Sequence, residues 1–308
     1  MKFDFLSNTD KNYFIRKAST LVEALPYIRK HNGKKIVIKY GGHAMIDKNL
    51  SKSFSRDICL LKEVGMYPII VHGGGPQIGK MLKKKNINTS FVDGLRVTDK
   101  NTVKIVEKVL SNDINKKIVN DINDNGGKAK GLKGNKNNFI KATKIIIPNK
   151  NSDSKIEKIL DLGFVGEPKK ISISIINQTL KDGLIPVIAP LGTDEMGNTY
   201  NINADTVAGA IAKSIKASKL LLLTDVAGIL NKNKKLIPSL SINQAKKIIN
   251  KDFIVGGMKP KITNCIEAIS SGVKEATILD GRIPHSVILE LFTEDGIGTQ
   301  IYSWAWNL

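Results

Sequence analysis

Two short apolar runs, each followed by a glycine-rich turn and then by helical spacing, constrain the fold of this chain more than any other feature. Residues 35–39 (KIVIK) lead into a glycine pair at 41–42, and residues 67–71 (YPIIV) lead into three glycines at 73–75. Alternation of buried strands with helices predicts an α/β fold with a mainly parallel sheet covered by helices. Ligands of such sheets bind beyond the carboxyl ends of the strands, which is where both glycine turns fall.

The same alternation continues through the rest of the chain. Further strands are predicted over residues 141–147, 159–165, 184–189, 220–223 and 275–279, a hairpin over 229–238, and helices over 12–30, 47–64, 171–181, 204–217 and 259–271. Pro26 is expected to kink or shorten the first helix, and residues 148–154 are expected to form an exposed polar loop. A soft boundary is placed near residue 200, with one continuous sheet running through both halves.

The charge of the chain raises the question of a nucleic-acid partner. A length of 308 residues allows one large domain or two lobes. Its 48 basic residues outnumber its 28 acidic residues and give a formal net charge of +20, but only five of the basic residues are arginine. Direct base readout favours the planar guanidinium group of arginine, and the lysines are scattered. A compositional bias toward lysine therefore explains the charge better than nucleic-acid binding, which is kept as an alternative.

The cysteines and the N-terminal residues indicate the compartment. Cys59 and Cys265 lie far apart and in no metal-binding spacing, so they are predicted to be free thiols of a reducing compartment. The first residues carry charges throughout and lack the apolar segment of a signal peptide. No apolar run approaches the ~18 residues that would span a bilayer. The sequence therefore predicts a cytoplasmic protein with no membrane partner.

The two glycine turns are the first candidate binding elements. Lys39, at the end of a buried strand and beside a glycine pair, can present its ammonium group where backbone N–H groups are exposed, and this combination stabilises phosphoryl oxygens. An ordinary strand-to-helix turn is the alternative. Three consecutive glycines after His72 cost backbone entropy, so close approach of a ligand explains them better than a tight turn alone. His72 itself is predicted to be structural rather than catalytic. Neither turn matches the P-loop or the dinucleotide-binding pattern.

Three further segments place polar residues where ligands would bind. Arg96 lies in a glycine-flanked loop and can clamp a carboxylate through two parallel hydrogen bonds, or form a solvated ion pair. Asn201 and Asp205 flank the predicted N-cap residue Asn203 at the start of an apolar helix, and capping alone does not require all three. Lys261 lies in the first turn of a helix, where a cation has little structural benefit, so it indicates either a bound anion or an ordinary exposed lysine.

Taken together, these motifs resemble the amino-acid kinase family, and within it the branch that phosphorylates N-acetyl-L-glutamate. In chain order they are KYGG at 39–42, HGGGPQI at 72–78, GLRVTD at 94–99, DLGFVGE at 161–167, YNINADTVAG at 200–209, LLTDVAGIL at 222–230, GGMKPK at 256–261, GRIPH at 281–285 and GIGT at 296–299. The resemblance implies a three-layer α/β/α sandwich with a mainly parallel central sheet. It divides the chain into an N-terminal helical extension (1–32), a substrate-binding and dimerisation lobe (33–200) and a nucleotide-binding lobe (201–308).

The resemblance also implies a reaction and the residues that perform it. The γ-phosphoryl group of ATP, accompanied by Mg²⁺, would be transferred to the side-chain carboxylate of N-acetyl-L-glutamate. Lys39 and Lys261 would stabilise the transferring group, and Asp205 would organise the two lysines. The family pattern assigns substrate binding to Gly73, Gly74, Arg96 and Asn201, and nucleotide binding to Gly41, Gly42, Asp225, Val226, Gly228, Ile229 and Leu230. A carboxylate is already ionised at neutral pH, so no general base is required, and no metal-ligating side chains are predicted.

The helix before the first strand resembles that of arginine-sensitive members, in which such helices interlace dimers into a hexamer, a trimer of dimers. L-Arginine is therefore the expected feedback inhibitor, and the PII signalling protein is a partner of some relatives. A helix packed on its own subunit is the alternative. Aspartate, glutamate, carbamate and UMP stay open as substrates of related kinases, and a nonenzymatic sensor with the same fold is a further alternative.

Overall fold

The protein is described by a computed structural model over residues 7–92, 94–149 and 158–303. The helices of these ranges are α1 (Asn8–His31), α2 (Lys48–Glu63), α3 (Gly75–Lys84), α4 (Lys100–Lys108), α5 (Asn115–Asp124), α6 (Ile173–Lys181), α7 (Ala204–Ser214), α8 (Ile242–Ile248), α9 (Met258–Ser270) and α10 (Ser286–Phe292). A 3₁₀ turn spans Gly42–Met45, and a π-helix, Val109–Ile114, joins α4 to α5.

The strands of the same ranges are β1 (Lys35–Tyr40), β2 (Tyr67–His72), β3 (Phe91–Val92), β4 (Leu95–Arg96), β5 (Ala129–Lys133), β6 (Ile140–Asn149), β7 (Lys158–Ile171), β8 (Ile185–Ala189), β9 (Leu191–Thr193), β10 (Thr199–Ile202), β11 (Lys219–Thr224), β12 (Ser239–Ser241), β13 (Glu275–Asp280) and β14 (Thr299–Tyr302). Eight of them form one sheet in the order β12-β14-β13-β11-β1-β2-β8-β5. All neighbouring pairs are parallel except β13 with β14. Strand β1 lies between β2 and β11, so the predicted continuity of the sheet through both halves is confirmed.

Helices cover both faces of this sheet. Along β1, Ile36 and Ile38 are fully buried in a cluster with α2, α10 and the π-helix, whereas Val37 is fully buried in a second cluster with α7 and α9. Successive side chains of a strand point to opposite faces, so a strand buried on both faces must read as a continuous apolar run. The predicted three-layer α/β/α sandwich with a mainly parallel sheet is confirmed.

A small closed barrel, with strand order β10-β7-β6-β9, lies beside the main sheet. The strands predicted at 141–147 and 159–165 are present as the antiparallel pair β6 and β7, but β7 continues to Ile171. The helix predicted from residue 171 therefore begins at Ile173 instead, because residues 166–171 pair with β6 and β10. Strand β6 also extends into the predicted loop 148–154, of which residues 150–154 lie outside the described ranges.

Helix α1 runs through Pro26 to His31, so the expected shortening at the proline is wrong. Proline lacks an N–H group and leaves one carbonyl unpaired, but the residues that follow it, Tyr27 and Ile28, pack against the core and hold the last turn in place. Earlier in the helix, large apolar side chains are exposed: Tyr13, Phe14, Ile15, Leu21, Val22 and Leu25. Leu21 and Val22 are 75% and 69% exposed. The C-terminal turns of α1 therefore join the core, and its N-terminal turns present an apolar face.

The cysteines and the helices bear on the predictions about disulfides and membrane spans. Cys59 and Cys265 are free thiols, as predicted. Over the described residues, every helix is too short or too polar to cross a membrane.

Candidate active site

A pocket of about 270 Å³ opens at the carboxyl ends of β1 and β2, between the first and second halves of the chain. Nine of the predicted site residues line it: Lys39, Gly41, Gly42, Gly73, Gly74, Arg96, Asn201, Asp205 and Lys261. Because parallel strands end at the same edge of a sheet, residues that are far apart in the sequence meet here.

Two lysines share one carboxylate at this pocket. The Nζ atom of Lys39 lies 3.2 Å from Oδ1 of Asp205, and the Nζ atom of Lys261 donates a hydrogen bond to Oδ2 of the same residue. Lys39 and Asp205 are 9% and 6% exposed. Each oxygen of Asp205 therefore holds one ammonium group, and the three side chains together carry one net positive charge.

The protonation of this cluster follows from burial and from the charges themselves. Burial lowers the pKa of Lys39, an effect that the carboxylate of Asp205 opposes. Burial alone would raise the pKa of Asp205, but the ammonium groups of Lys39 and Lys261 hold it below its ordinary value. The carboxylate is thus ionised at neutral pH, which favours the protonated form of Lys39.

Helix termini place two members of the cluster. Asn203 caps α7, since its Oδ1 accepts hydrogen bonds from the backbone N–H groups of Asp205 at 2.8 Å and Thr206 at 3.3 Å. This confirms the predicted N-cap. Lys261 lies in the first turn of α9, which packs against α7. The two helix starts bring Asp205 and Lys261 together.

The backbone of the glycine turns lies closer to neighbouring side chains than a residue with a Cβ atom would allow. A Cβ atom on Gly41 would lie 2.8 Å from the Nζ atom of Lys39. A Cβ atom on Gly74 would lie 2.6 Å from Leu110 and 2.7 Å from Ile114, both on the π-helix. The sequence did not reveal this role of the π-helix, because its apolar residues follow ordinary helical spacing.

Arg96 reaches the pocket from β4. Its Nη1 donates to the Thr89 hydroxyl at 2.6 Å, its Nη2 donates to the Gly75 carbonyl at 3.2 Å, and its guanidinium carbon lies 4.5 Å from the centre of the Phe91 ring. In the described part of the chain, no carboxylate forms an ion pair with Arg96. The solvated ion pair considered as an alternative is therefore not found there, and the guanidinium charge is available to an anionic ligand.

The residues predicted to bind the nucleotide beyond the first turn lie outside this pocket, at the carboxyl end of β11. Oδ1 of Asp225 accepts a hydrogen bond from the N–H of His43, 2.8 Å away, which ties this segment to the 3₁₀ turn. Val226 is 40% exposed, whereas Ile229 is fully buried and its N–H donates to the Thr299 hydroxyl. The nucleotide-binding role of Asp225, Val226, Gly228, Ile229 and Leu230 stays a prediction.

Carboxylates that could hold a metal ion are already engaged at this site. Both oxygens of Asp205 contact lysines, and Asp225 accepts from a backbone N–H group. Among the residues that the structure describes, no group of three or more His, Cys, Asp and Glu side chains could hold a metal ion.

Known proteins match this chain over most of its length. The profile of the Amino acid kinase family matches residues 34–280. A protein named acetylglutamate kinase from Rhodospirillum centenum is 54% identical over 288 residues, which cover 94% of this chain and 94% of the relative.

Solved structures share the architecture. The N-acetylglutamate synthase from Neisseria gonorrhoeae, complexed with coenzyme A and N-acetyl-glutamate, matches 94% of this chain with a TM-score of 0.81 and 25% identity. This chain spans 64% of that synthase chain. The same synthase complexed with coenzyme A and L-arginine matches 94% of this chain and 66% of its own length, with a TM-score of 0.76 and 26% identity. A carbamate kinase from Giardia lamblia bound to AMP-PNP, at 14% identity, matches 88% of this chain and 99% of its own length with a TM-score of 0.61 and shows the shared fold.

Proposed function

Because the chain belongs to the amino acid kinase family, we propose that it transfers the γ-phosphoryl group of ATP to the γ-carboxylate of N-acetyl-L-glutamate, a step of arginine biosynthesis. The name acetylglutamate kinase is carried by relatives more than 50% identical over nearly the whole chain. The observation that carries the proposal is the pair of ammonium groups, Lys39 and Lys261, held on the two oxygens of Asp205 beside the glycine turns.

The chemistry needs charge neutralisation rather than proton transfer. The attacking carboxylate is ionised at neutral pH and requires no base, and His72 does not line the pocket. Phosphoryl transfer passes through a transition state with charge on the equatorial oxygens, which positioned cations stabilise. Lys39 and Lys261 supply these cations from the two halves of the chain, while Asp205 offsets their mutual repulsion and holds both ammonium groups in fixed positions.

The substrate lies on the N-terminal side of this pair in the proposal. Gly73 and Gly74 offer backbone, Asn201 offers an amide, and Arg96 offers a guanidinium group without an acidic partner in the described ranges. A guanidinium group binds a carboxylate through two parallel hydrogen bonds. We assign Arg96 to the carboxylate of N-acetyl-L-glutamate that does not react.

The nucleotide lies on the C-terminal side, beyond β11, with Gly41 and Gly42 at its phosphates and residues 225–230 at its base and ribose. Mg²⁺ fits this site as an ion that arrives with ATP, because Asp205 and Asp225 are engaged and Mg²⁺ readily keeps phosphate and water ligands. When bound with ATP, Mg²⁺ would neutralise part of the phosphate charge next to the ammonium groups of Lys39 and Lys261.

An ADP-release assay tests the proposed substrate. With ATP and Mg²⁺, N-acetyl-L-glutamate should be turned over far faster than glutamate, aspartate, carbamate or UMP, because these lack either the acetylamino group or the carboxylate spacing. ADP release without any acceptor measures contaminating ATPase, and the Arg96→Leu protein should show a higher KM for N-acetyl-L-glutamate. Turnover of another acceptor in preference to N-acetyl-L-glutamate would contradict the proposal.

We further propose that α1 mediates assembly into a hexamer, a trimer of dimers, and inhibition by L-arginine. The exposed apolar side chains of α1, spaced by seven positions as in Phe14 and Leu21 or Ile15 and Val22, form a stripe that a second copy of the helix would bury. The structural match to a synthase complexed with L-arginine supports arginine as the effector. The PII protein is proposed as a partner on the resemblance alone.

The free thiols support a reducing cytoplasm as the compartment.

Deleting residues 1–30 should abolish arginine inhibition and convert the hexamer into a dimer, while basal activity persists. Light scattering and an assay with and without L-arginine measure both effects. A full-length protein with Leu21→Asp and Val22→Asp should behave in the same way, because two charges on the apolar stripe prevent its burial. Ser19→Asp is the matched control, since Ser19 is exposed on the same helix without being apolar. Arginine inhibition retained by the deletion variant would refute the role of α1.

A further inference from the structure

The imidazole ring of His72 lies directly behind the second glycine turn. His72 is fully buried at the end of β2, with its Nδ1 atom 2.8 Å from the carbonyl oxygen of Gly73. Its Nε2 atom lies 3.2 Å from the amide nitrogen of Asn115, and that same nitrogen lies 2.9 Å from the carbonyl oxygen of Val187. Both ring nitrogens therefore have a partner, although the ring does not reach the pocket.

The partners of Asn115 determine the tautomer of His72. A backbone carbonyl can only accept, so the Asn115 atom that faces Val187 must be the amide nitrogen. The second hydrogen of this amide points to Nε2 of His72, which must then accept. Nδ1 is left to carry the proton and donates it to the Gly73 carbonyl. Burial lowers the pKa of His72 to about 4, so the ring is neutral at neutral pH.

This hydrogen bond fixes the peptide group between Gly73 and Gly74. In a trans peptide, the C=O and the N–H point in opposite directions, so a Gly73 carbonyl that faces His72 directs the Gly74 N–H away from the ring, and Gly74 lines the pocket whereas His72 does not. The Gly73 N–H is already bonded to the Tyr40 carbonyl at 2.7 Å. Within the described residues, the Gly74 N–H has no protein acceptor. A peptide between two glycines has no Cβ to restrict its rotation, so its direction depends on this contact.

We propose that His72 is a positioning residue that, as the Nδ1–H tautomer held by Asn115, locks the Gly73–Gly74 peptide and aims the Gly74 N–H at an anionic group of the acceptor substrate. The inference rests on the proposed function. It gives the ring a task in substrate binding without contact between the ring and the substrate.

Two substitutions distinguish this positioning role of His72 from a role in packing alone. In His72→Asn, the side-chain amide nitrogen takes the place of Nδ1 and can still donate to Gly73. In His72→Gln, the longer amide reaches the place of Nε2, pairs with Asn115 and leaves the Gly73 carbonyl without its donor. We expect His72→Gln to raise the KM for N-acetyl-L-glutamate by about 10- to 100-fold, as for loss of a hydrogen bond to a charged group, with kcat and the KM for ATP nearly unchanged. His72→Asn should keep a KM close to that of the wild type.

The matched control is His31→Asn, since His31 is also a buried histidine but lies at the end of α1, outside the pocket. It should leave the KM for N-acetyl-L-glutamate unchanged when no arginine is present. A His72→Gln protein with wild-type KM, or one that loses kcat alone, would overturn the inference while leaving the proposed function intact. A wild-type protein without turnover of N-acetyl-L-glutamate would instead contradict the proposed function.

¹⁵N NMR of the folded wild-type protein tests the tautomer without any substitution. The expected spectrum has a protonated Nδ1 and an unprotonated Nε2 for His72 at neutral pH. The reverse assignment would overturn the inference even if the variants failed to fold.

Discussion

The Lys39→Ala protein should phosphorylate N-acetyl-L-glutamate about 10³-fold more slowly than the wild type, with an affinity for ATP within about threefold of the wild-type value. The reason is the position of the ammonium group, which is buried, lies 3.2 Å from Asp205 and belongs to a residue that lines the pocket. A cation placed in this way interacts with the transferring phosphoryl group mainly in the transition state, so its loss lowers kcat more than binding.

The comparison is measured by steady-state kinetics together with calorimetric titration of a nonhydrolysable ATP analogue. Lys35→Ala is the matched control, because Lys35 lies at the opposite end of β1 and its ammonium group contacts Asn177. The control should keep wild-type kcat. An unchanged maximal rate in Lys39→Ala would remove this lysine from the proposed mechanism.

The Asp205→Asn protein should lose about 10²- to 10³-fold in kcat at neutral pH. The substitution preserves volume but leaves the ammonium groups of Lys39 and Lys261 close together without a counter-charge. The pKa of Lys39, already lowered by burial, loses the opposing effect of the carboxylate and falls further. Part of the Lys39 population then becomes neutral, so the remaining activity should rise as the pH is lowered and the ammonium group regains its proton.

A pH series of kcat for the wild type and for Asp205→Asn checks this sign. The substitution Asp182→Asn removes an exposed carboxylate at the end of α6 and should change neither kcat nor its pH dependence. Activity of Asp205→Asn that falls with decreasing pH would show that the carboxylate does more than hold the two lysines charged and in place.

The parts of the fold that depend on local pattern were predictable from the sequence. Residues 35–39 and 67–71 read as buried strands because burial on both faces leaves an unbroken apolar run. The end of β7 at Ile171 was not predictable, because it is set by pairing with β6, which the local pattern of residues 166–171 does not show. The shortening expected at Pro26 was wrong for a similar reason, since the turn after it is held by contacts with the core.

The candidate site likewise contains residues that the local sequence indicates and residues that only three-dimensional contacts reveal. Local sequence made Lys39, Asp205 and Lys261 candidates, because each stands at a strand end or helix start, and the family resemblance assigned their roles; the fold brings all three together. The contact of the π-helix with Gly74 and the contact of the Asn115 amide with His72 were not predicted from the sequence. Their residues look ordinary in sequence, and only the three-dimensional contact gives them a role.

The parallel pairing of β1 with β11 has a mechanical consequence. Lys39 is in register with Leu222, and its ammonium group donates to the carbonyl of Leu223, so this lysine lies where the first half of the chain pairs with the second. Halves joined by a ladder of backbone hydrogen bonds cannot swing apart like domains separated by a loose linker. Opening and closing of the two halves would instead twist the sheet, with the smallest displacement at the β1–β11 pair, beside the pocket, and the largest at the edge strands β12 and β5.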